Sequence, residues 1–412
     1  MRAVLVLGTI VGFCTLTAGC RTPMPVRSAP PATALPVADR QIPAPDATAI
    51  TDLPSLGAAD PLPPVGYYRL TAEECRQLAC DNSSLANLIV AGAGAPSGRA
   101  FSHGASAAVD HVRAFTGRFL AQEARNRAAG AALALYYKIL ELELQSDVLG
   151  NSIVELVAMM ELNEKLIEKG FKQTAEGFEL KKQRIELEAD RTRLRSGLQK
   201  LNAELKSLLA IDSGTPGLLL PADQVRVVPD PLDPEQAVQL GLMRRADLNL
   251  LRCLASAVDH RTLQTVRKAL IGIAPPLAAV VQASEQLVPT LLPFISAMAK
   301  AEVAATRSQL MGLLQDRERE AAKEIRTAAE EWTTARALVA IARLRFQLHK
   351  DRVDDLVKKS ASGQGVEAEL RKAKLEWLKA ESELIGEIAK WKRADVKARE
   401  TMGLLCDGEC GK

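Results

Sequence analysis

Aromatic side chains are scarce in this 412-residue chain: 4% of residues, with four Tyr and three Trp. That leaves too few to form the girdles that rim a membrane β-barrel. Histidine is scarcer still. His103, His111, His260 and His349 are widely separated, and no HExxH spacing offers a zinc-hydrolase centre. Neither sign of charge dominates, with 53 Lys+Arg against 50 Asp+Glu and a net +3. A protein that tracks nucleic-acid phosphates concentrates positive charge, so that class is excluded. No nucleophile–base pair, phosphate loop or metal spacing stands out, so the sequence predicts no enzyme, no cofactor, and neither catalytic nor metal-binding residues. What is present is a 47% hydrophobic and 25% charged composition, ordinary for a chain that buries a real core.

Arg2 precedes an apolar stretch, Ala3 to Phe13, too short to span a bilayer, followed by Leu16-Thr17-Ala18-Gly19-Cys20. A positive start, a short apolar region and small residues before a cysteine describe an export signal over 1–19. Its last five residues resemble a bacterial lipobox, which predicts cleavage before Cys20 and lipidation of its sulfur. The alternative is an ordinary cleaved signal with Cys20 a bystander. Arg21 in place of Asp as the second mature residue favours the outer membrane, the body facing the periplasm. Several acyl chains on one Cys suffice for stable anchoring. From Pro23 to Pro64 eleven prolines make residues 20–66 a semi-extended tether.

The body from Tyr67 onward reads as two copies of one pattern. Thr71-Ala72-Glu73-Glu74 and Asp233-Pro234-Glu235-Gln236 each predict a capping box opening a short amphipathic helix. Glu73, Gln77, Leu78 and Leu88 recur 162 positions later as Glu235, Gln239, Leu240 and Leu250. Leu135, Leu142, Leu149 and Leu156 form a seven-residue row, and Ile325, Trp332, Val339 and Phe346 repeat it 190 positions on, with Val353 extending it. A second row, Leu180, Leu187, Leu194, Leu201 and Leu208, repeats at the same offset as Leu370, Trp377, Leu384, Trp391 and Ala398. Rows paired by one offset predict an all-α chain of two tandem coiled-coil hairpins, 67–213 and 233–406, with a linker at 214–232 and a tail at 407–412. Helices of roughly 50 residues, near 75 Å, should return through ~50 Å helices. Turns are expected near Lys169 to Gly177 and Lys359 to Gly365. Repeat two holds 28 extra residues around Ala269 to Ala299, with Glu285 the one charge and Pro275, Pro276, Pro289 and Pro293 cutting the run too short for a membrane helix. This window is an apolar core connector or a membrane-apposed loop.

These residues resemble the outer-membrane efflux factor family, the TolC-like exit ducts, over about 67–405. Leu70-Thr71-Ala72-Glu73-Glu74 with Leu78-Ala79 is similar to the family's opening helix. Arg245-Ala246-Asp247-Leu248 resembles its "RpDL" segment, and Ala132-Leu133-Ala134-Leu135-Tyr136-Tyr137 its "A-x-x-Y-F" helix start. Gly363, Glu369-Leu370 and Ala373 resemble its tip and return helix. The resemblance implies a homotrimeric periplasmic tunnel that exports small molecules or peptides with a membrane-fusion adaptor and an inner-membrane pump. The alternative from another class is a non-conducting scaffold lipoprotein that spaces envelope layers. The family's four barrel strands per protomer do not fit Ile89 to Phe115 or the proline-broken window, neither of which alternates, so the barrel is expected to be absent or vestigial.

The resemblance also assigns roles. The tips, Gly170, Phe171 and Lys172 with Gly363, Gln364 and Gly365, would dock the adaptor, although the family's "V-G-L" tip signature is missing. Asp351, Arg352, Asp354 and Asp355 would form a gate; their bland reading is a polar helix end. The family's termini meet in one zone, which implies disulfides joining Cys75 and Cys80 to Cys406 and Cys410. A four-thiolate zinc site is the less favoured arrangement for an exported protein. Cys75 and Cys80, five apart on one helix, suit no bridge to each other, and Cys253 reads as a small buried residue. Trp377 and Trp391 read as helix packing. The charges from Lys181 to Arg191 read as solvated coiled-coil flanks.

Overall fold

In a computed structural model of the chain, the described residues are 66–93, 105–170, 174–212, 215–223, 232–273, 295–362 and 365–406. Cys20, the tether, Phe171, Lys172, Gly363, Gln364, Cys410 and most of the apolar window lie outside them.

Strand β1 (Tyr67–Leu70) leads into α1 (Ala72–Asp81). Thr71 closes the capping box there: the Glu74 N–H donates to its hydroxyl at 3.1 Å, and the Thr71 N–H donates back to the Glu74 carboxylate at 2.8 Å. Helices α2 (Ser84–Ala93) and α3 (Ala105–Glu168) follow. Gly170, at φ +89°, stops α3 in a left-handed conformation that Gly adopts without penalty. Helix α4 (Thr174–Leu208) runs back to β2 (Leu218–Pro221). Repeat two comprises α5 (Pro234–Arg244), α6 (Ala246–Ala257), α7 (Leu263–Ile273), α8 (Ile295–Ala361) and α9 (Glu367–Thr401).

The repeat offsets are realised in the elements themselves. At the shorter offset Ala72 and Ser84, which open α1 and α2, map onto Pro234 and Ala246, which open α5 and α6. At the longer one Ala105, the start of α3, maps onto Ile295, the start of α8. Three details differ from the sequence reading. Asp233 caps α5 through the Glu235 N–H at 3.0 Å, not through Gln236, so the second capping box is a simple N-cap. The stretch read as a linker contains β2, which pairs in parallel with β1 from Tyr67↔Leu218 to Leu70↔Pro221, so the chain is not purely helical. The outbound helices have 64 and 67 residues, about 96 and 100 Å, because they continue past the leucine rows beneath the short helices. The return helices, at 35 residues each, are about 52 Å as expected. Among the described residues β1 and β2 are the only strands. Eleven residues separate α2 from α3, fewer than the two strands of about ten that a membrane hairpin needs.

The long helices lie side by side in the order α4, α3, α9, α8, with α3 packed on both α4 and α9. Helices α1 and α2 cover the first half of α3, α5 lies on α8, and α6 touches both α3 and α8. At the α5–α8 crossing Gly241 lies close against Ile325, whose side-chain end would have to shift to admit a Cβ there.

Three polar ties fix the ends of these elements. Asp223, just after β2, accepts from the Ala72 N–H at the start of α1 and from the Tyr136 hydroxyl of α3, at 2.6 and 3.0 Å. A disulfide joins Cys80 of α1 to Cys406 beyond α9, and Asn126 of α3 holds the same segment by donating to Glu400 O and accepting from the Leu405 N–H. The third tie is ionic. Arg245, almost buried between α5 and α6, reaches Asp247 at 2.8 Å and Glu324 of α8 at 2.5 Å, while Arg317 bonds the same Asp247 at 2.8 Å. Burial alone would raise the Asp247 carboxyl, but hydrogen bonds and charge from Arg245 and Arg317 outweigh it and hold it at about 2. Removing the central cation would leave two carboxylates against one. Arg245→Ala should cost about 3–5 kcal/mol, read as a lower urea midpoint with an unchanged m-value.

Candidate functional site

The two hairpins form the shaft of the molecule, and they are sealed to different extents. In repeat two the whole row Ile325, Trp332, Val339, Phe346 and Val353 is buried, and Leu384, Trp391 and Ala398 meet it from α9. Trp332 and Trp391 lie 6.0 Å apart, centroid to centroid, and Trp377 is half-buried beside Phe346. In repeat one Leu142 and Leu156 are buried, while every leucine of the α4 row, Leu180 to Leu208, is only half-covered. Ile167, near the distal end of α3, is exposed.

Charged groups occupy the α3–α9 seam about four turns apart along α3. Glu141 pairs with Arg393 of α9 at 2.7 Å, and Glu155 with Arg371 and Lys374 at 3.2 and 3.0 Å. These bonds set the register of one repeat against the other. On the α4-facing flank burial pushes the Glu143 carboxyl up to about 7, with Arg69 of β1 opposing at 3.3 Å. Burial likewise lifts Asp147 to about 6 against Arg69 and Arg191. Glu381 of α9 differs from both: burial alone, with no opposing cation, pushes it up to about 7.

Of the residues expected at the tips, Gly170 and Gly365 are described and both are exposed. Asp351, Arg352, Asp354 and Asp355 sit on the exposed surface of α8 just before its end, above the buried pair Val353 and Leu356. Arg352 crosses to Glu376 and Glu369 of α9 at 2.9 and 3.6 Å, Asp351 accepts from Gln347 at 2.8 Å, and Asp355 pairs with Lys359 at 2.7 Å. These bonds lie within one hairpin, so the group braces its own tip. Most of the flank charges from Lys181 to Arg191 are exposed, with Arg184 bonded to Glu188.

Among the cysteines, Cys80 bridges to Cys406, and Cys75 is a free buried thiol. Burial first, and then the Asp223 carboxylate, pushes that thiol up to about 12. Cys253, expected to be buried, is half-exposed on α6, with its backbone carbonyl bonded to Ser256.

Sequence reasoning missed two features at the edges of the helix row. On α8, Leu338, Ile341, Leu344 (72% exposed) and Leu348 (69%) form an apolar stripe on the side away from α9. On α4, at the opposite edge, Phe178 and Ile185, seven apart, are also exposed. The signal was available as a second apolar periodicity, offset from the main row.

Three measurements test this chemistry. A carboxyl whose folded pKa lies above its unfolded value is best tolerated below about pH 4.5, and its contribution declines as pH rises through about 7. Glu381→Gln should therefore stabilise the fold by the order of 1–3 kcal/mol at pH 7.5, with the advantage over wild type vanishing near pH 5 in urea titrations. Replacing Cys80 and Cys406 together by Ser should cost about 2–5 kcal/mol. Iodoacetamide should leave Cys75 unlabelled in the native protein at pH 8 and label it in urea.

No protein-family profile and no curated protein matches the sequence. Solved structures do match its fold. The Campylobacter jejuni CmeC outer membrane channel aligns at TM-score 0.55 and 11% identity, over 82% of this chain and 87% of that one. The outer-membrane channel OprN aligns at 0.57 and 12%, over 81% and 89%. The Vibrio cholerae outer membrane protein VceC aligns at 0.55 and 12%, over 81% and 96%. The chain thus has the TolC-like helical fold of outer-membrane channels, with no barrel strands among its described residues.

Proposed function

We propose that this chain is one protomer of a homotrimeric, lipid-anchored periplasmic duct that exports small molecules or peptides. The carrying observation is that the internal repeat leaves unfilled on α8 and α2 the faces it fills on α3 and α6. Val148 of α3 is buried against α9, whereas its image at the longer repeat offset, Leu338 of α8, is 44% exposed. Leu250 of α6 is 1% exposed beneath α3, whereas its image at the shorter offset, Leu88 of α2, is 71% exposed. A second copy laid head-to-tail beside the first would supply α4 to the α8 stripe and α8 to α2. Neighbours in the row α4, α3, α9, α8 alternate in direction, and α4 beside α8 continues that alternation. Such a heterologous contact closes a ring when its rotation permits, and the fold likeness to outer-membrane channels supports closure at three.

In this reading the lipid on Cys20 hangs the ring from the outer membrane. The tips at Gly170, Phe171, Lys172, Gly363, Gln364 and Gly365 meet a membrane-fusion adaptor linked to an inner-membrane pump. Asp351, Arg352, Asp354 and Asp355, grouped beside that end, narrow the passage. Light scattering of the detergent-purified protein should give three times the mass of one chain. Leu344→Asp with Leu348→Asp should give a monomer of unchanged helicity, because both side chains are exposed in the single chain. The same pair should fail to restore compound resistance to a deletion strain. A monomeric wild type that restores nothing would instead favour the scaffold reading, which the lack of barrel strands among the described residues suits.

A further inference from the structure

Glu381 is the only charged side chain buried on α9, at 3% exposure. Burial is the whole cause of its raised carboxyl, to which no hydrogen bond or neighbouring charge contributes. One turn before it the indole N–H of Trp377 is buried too, with no hydrogen-bond partner among the described residues. Pairs on either side locate its surroundings. On α3, Gln145 lies against Gly386 and Glu155 bonds Lys374, which puts Val148 to Gly150 at the level of Glu381. On α8, Phe346 packs on Trp377 and Arg345 lies 4.0 Å from Glu383, which puts Arg343 to Phe346 there. The titratable and charged groups facing this level are Asp147 and Glu155 of α3 and Arg343, Arg345 and His349 of α8. Apart from His349, half-buried nearer the tip, they are engaged elsewhere. Glu155 is held by Arg371 and Lys374, Arg345 by Glu383, Asp147 by the charges of Arg69 and Arg191, and Arg343 by contacts of its own.

The internal repeat marks this position as different in kind. At the longer offset Glu381 is the image of Arg191 of α4, and Ala337 of α8 is the image of Asp147 of α3. Repeat one thus has a cation acting on an acid where repeat two has a carboxyl and a methyl group. An enclosed carboxyl without a cation is tolerated when protonated; once charged it is stabilised by reaching water, which here means parting the helices. We infer that Glu381 is a proton-operated latch: protonated, it lets α8 and α9 close on α3 over the tip-ward half of repeat two, and on losing its proton to water it loosens that seam. The closed form holds the proton up to about pH 7, and an opened form with the carboxyl in water only to about 4.5. The preference for closure is therefore complete in acid and falls away as pH rises through that interval. The latch lies within one chain, so it holds whether or not copies assemble into a ring. Trp332, Trp377 and Trp391 are the three tryptophans of the chain and all stand in this seam, so indole fluorescence reports on it alone.

Hydrogen exchange of the full chain, followed by mass spectrometry and corrected for the intrinsic rate, tests the latch. Protection of residues 370–390 should fall at least tenfold from pH 5 to pH 8, the two proton affinities allowing about seventyfold. Indole emission should shift to the red over the same range. In Glu381→Gln the fall should shrink below threefold and the emission shift should vanish, while residues 180–200 of α4 keep the pH dependence of the wild type. His349→Gln should leave the fall as it is. If the glutamine variant does not fold, Glu381→Leu, which removes the carboxyl and keeps an apolar side chain, is read in the same way. A wild-type fall of less than tenfold would overturn the inference, and so would a fall that persists without the Glu381 carboxyl or disappears in His349→Gln. Loss of protection spread equally over both hairpins would overturn it as well, because it would mark unfolding of the whole body instead of one seam.

Discussion

A helix twice the length of a domain core must find neighbours along its whole length, and in this chain α3 is the helix that finds them. It packs on α4 along one flank and on α9 along the other, with α1 and α2 across its first half. The contact between α3 and α9 joins the repeats, and Glu141 and Glu155, bonded to Arg393, Arg371 and Lys374, hold it in register. That contact runs along the hairpins and fixes their spacing over most of their length. With it, four helices stand in one alternating row, and the row has two open edges.

Those edges explain why the repeats are sealed differently. Helix α9 has α8 on one side and α3 on the other, and it buries Leu384, Ile385, Ile388 and Trp391. Helix α4 has α3 on one flank only, and its leucine row stays half-covered. Similar sequence rows thus meet different surroundings, and the difference lies in the number of available neighbours, not in the residues. The buried carboxylates follow the same logic. Glu143 is largely covered but shares Arg69 with Asp147, whereas Glu381 is buried on α9 and keeps its raised affinity for a proton.

The architecture was legible because burial in a paired helix recurs every seven residues, and a duplicated chain writes that rhythm twice at one offset. Leu135 to Leu156 and Ile325 to Phe346 were enough to mark both hairpins. Local chemistry was legible where it stayed local, as at Thr71 and Glu74. Contacts between distant residues were not. Arg245 and Asp247 were noticed as a short segment, but their partners Arg317 and Glu324 lie some seventy to eighty positions away. The role of Asp223 depends on Tyr136 and on the first N–H of α1, neither of which spacing can relate to it. Several cysteines allowed several pairings, and only the direction in which α1 turns Cys80 toward the end of the chain selects one. The stripe on α8 was hidden because a sequence row does not say whether its partner belongs to the same chain or to another.

The disulfide closes a loop of chain from α1 to Cys406, just beyond α9, and this changes how a load would travel. A pull on the polypeptide ahead of Tyr67 first meets β1, whose parallel partner β2 is itself held by Asn202 of α4. Were α1 attached by packing alone, tension could peel it from α3 turn by turn. With Cys80 joined to Cys406, and Leu405 held by Asn126, the same tension is handed to the base of α9 and shared by both hairpins at once. The body would therefore resist a pull applied ahead of β1 as a single mechanical unit.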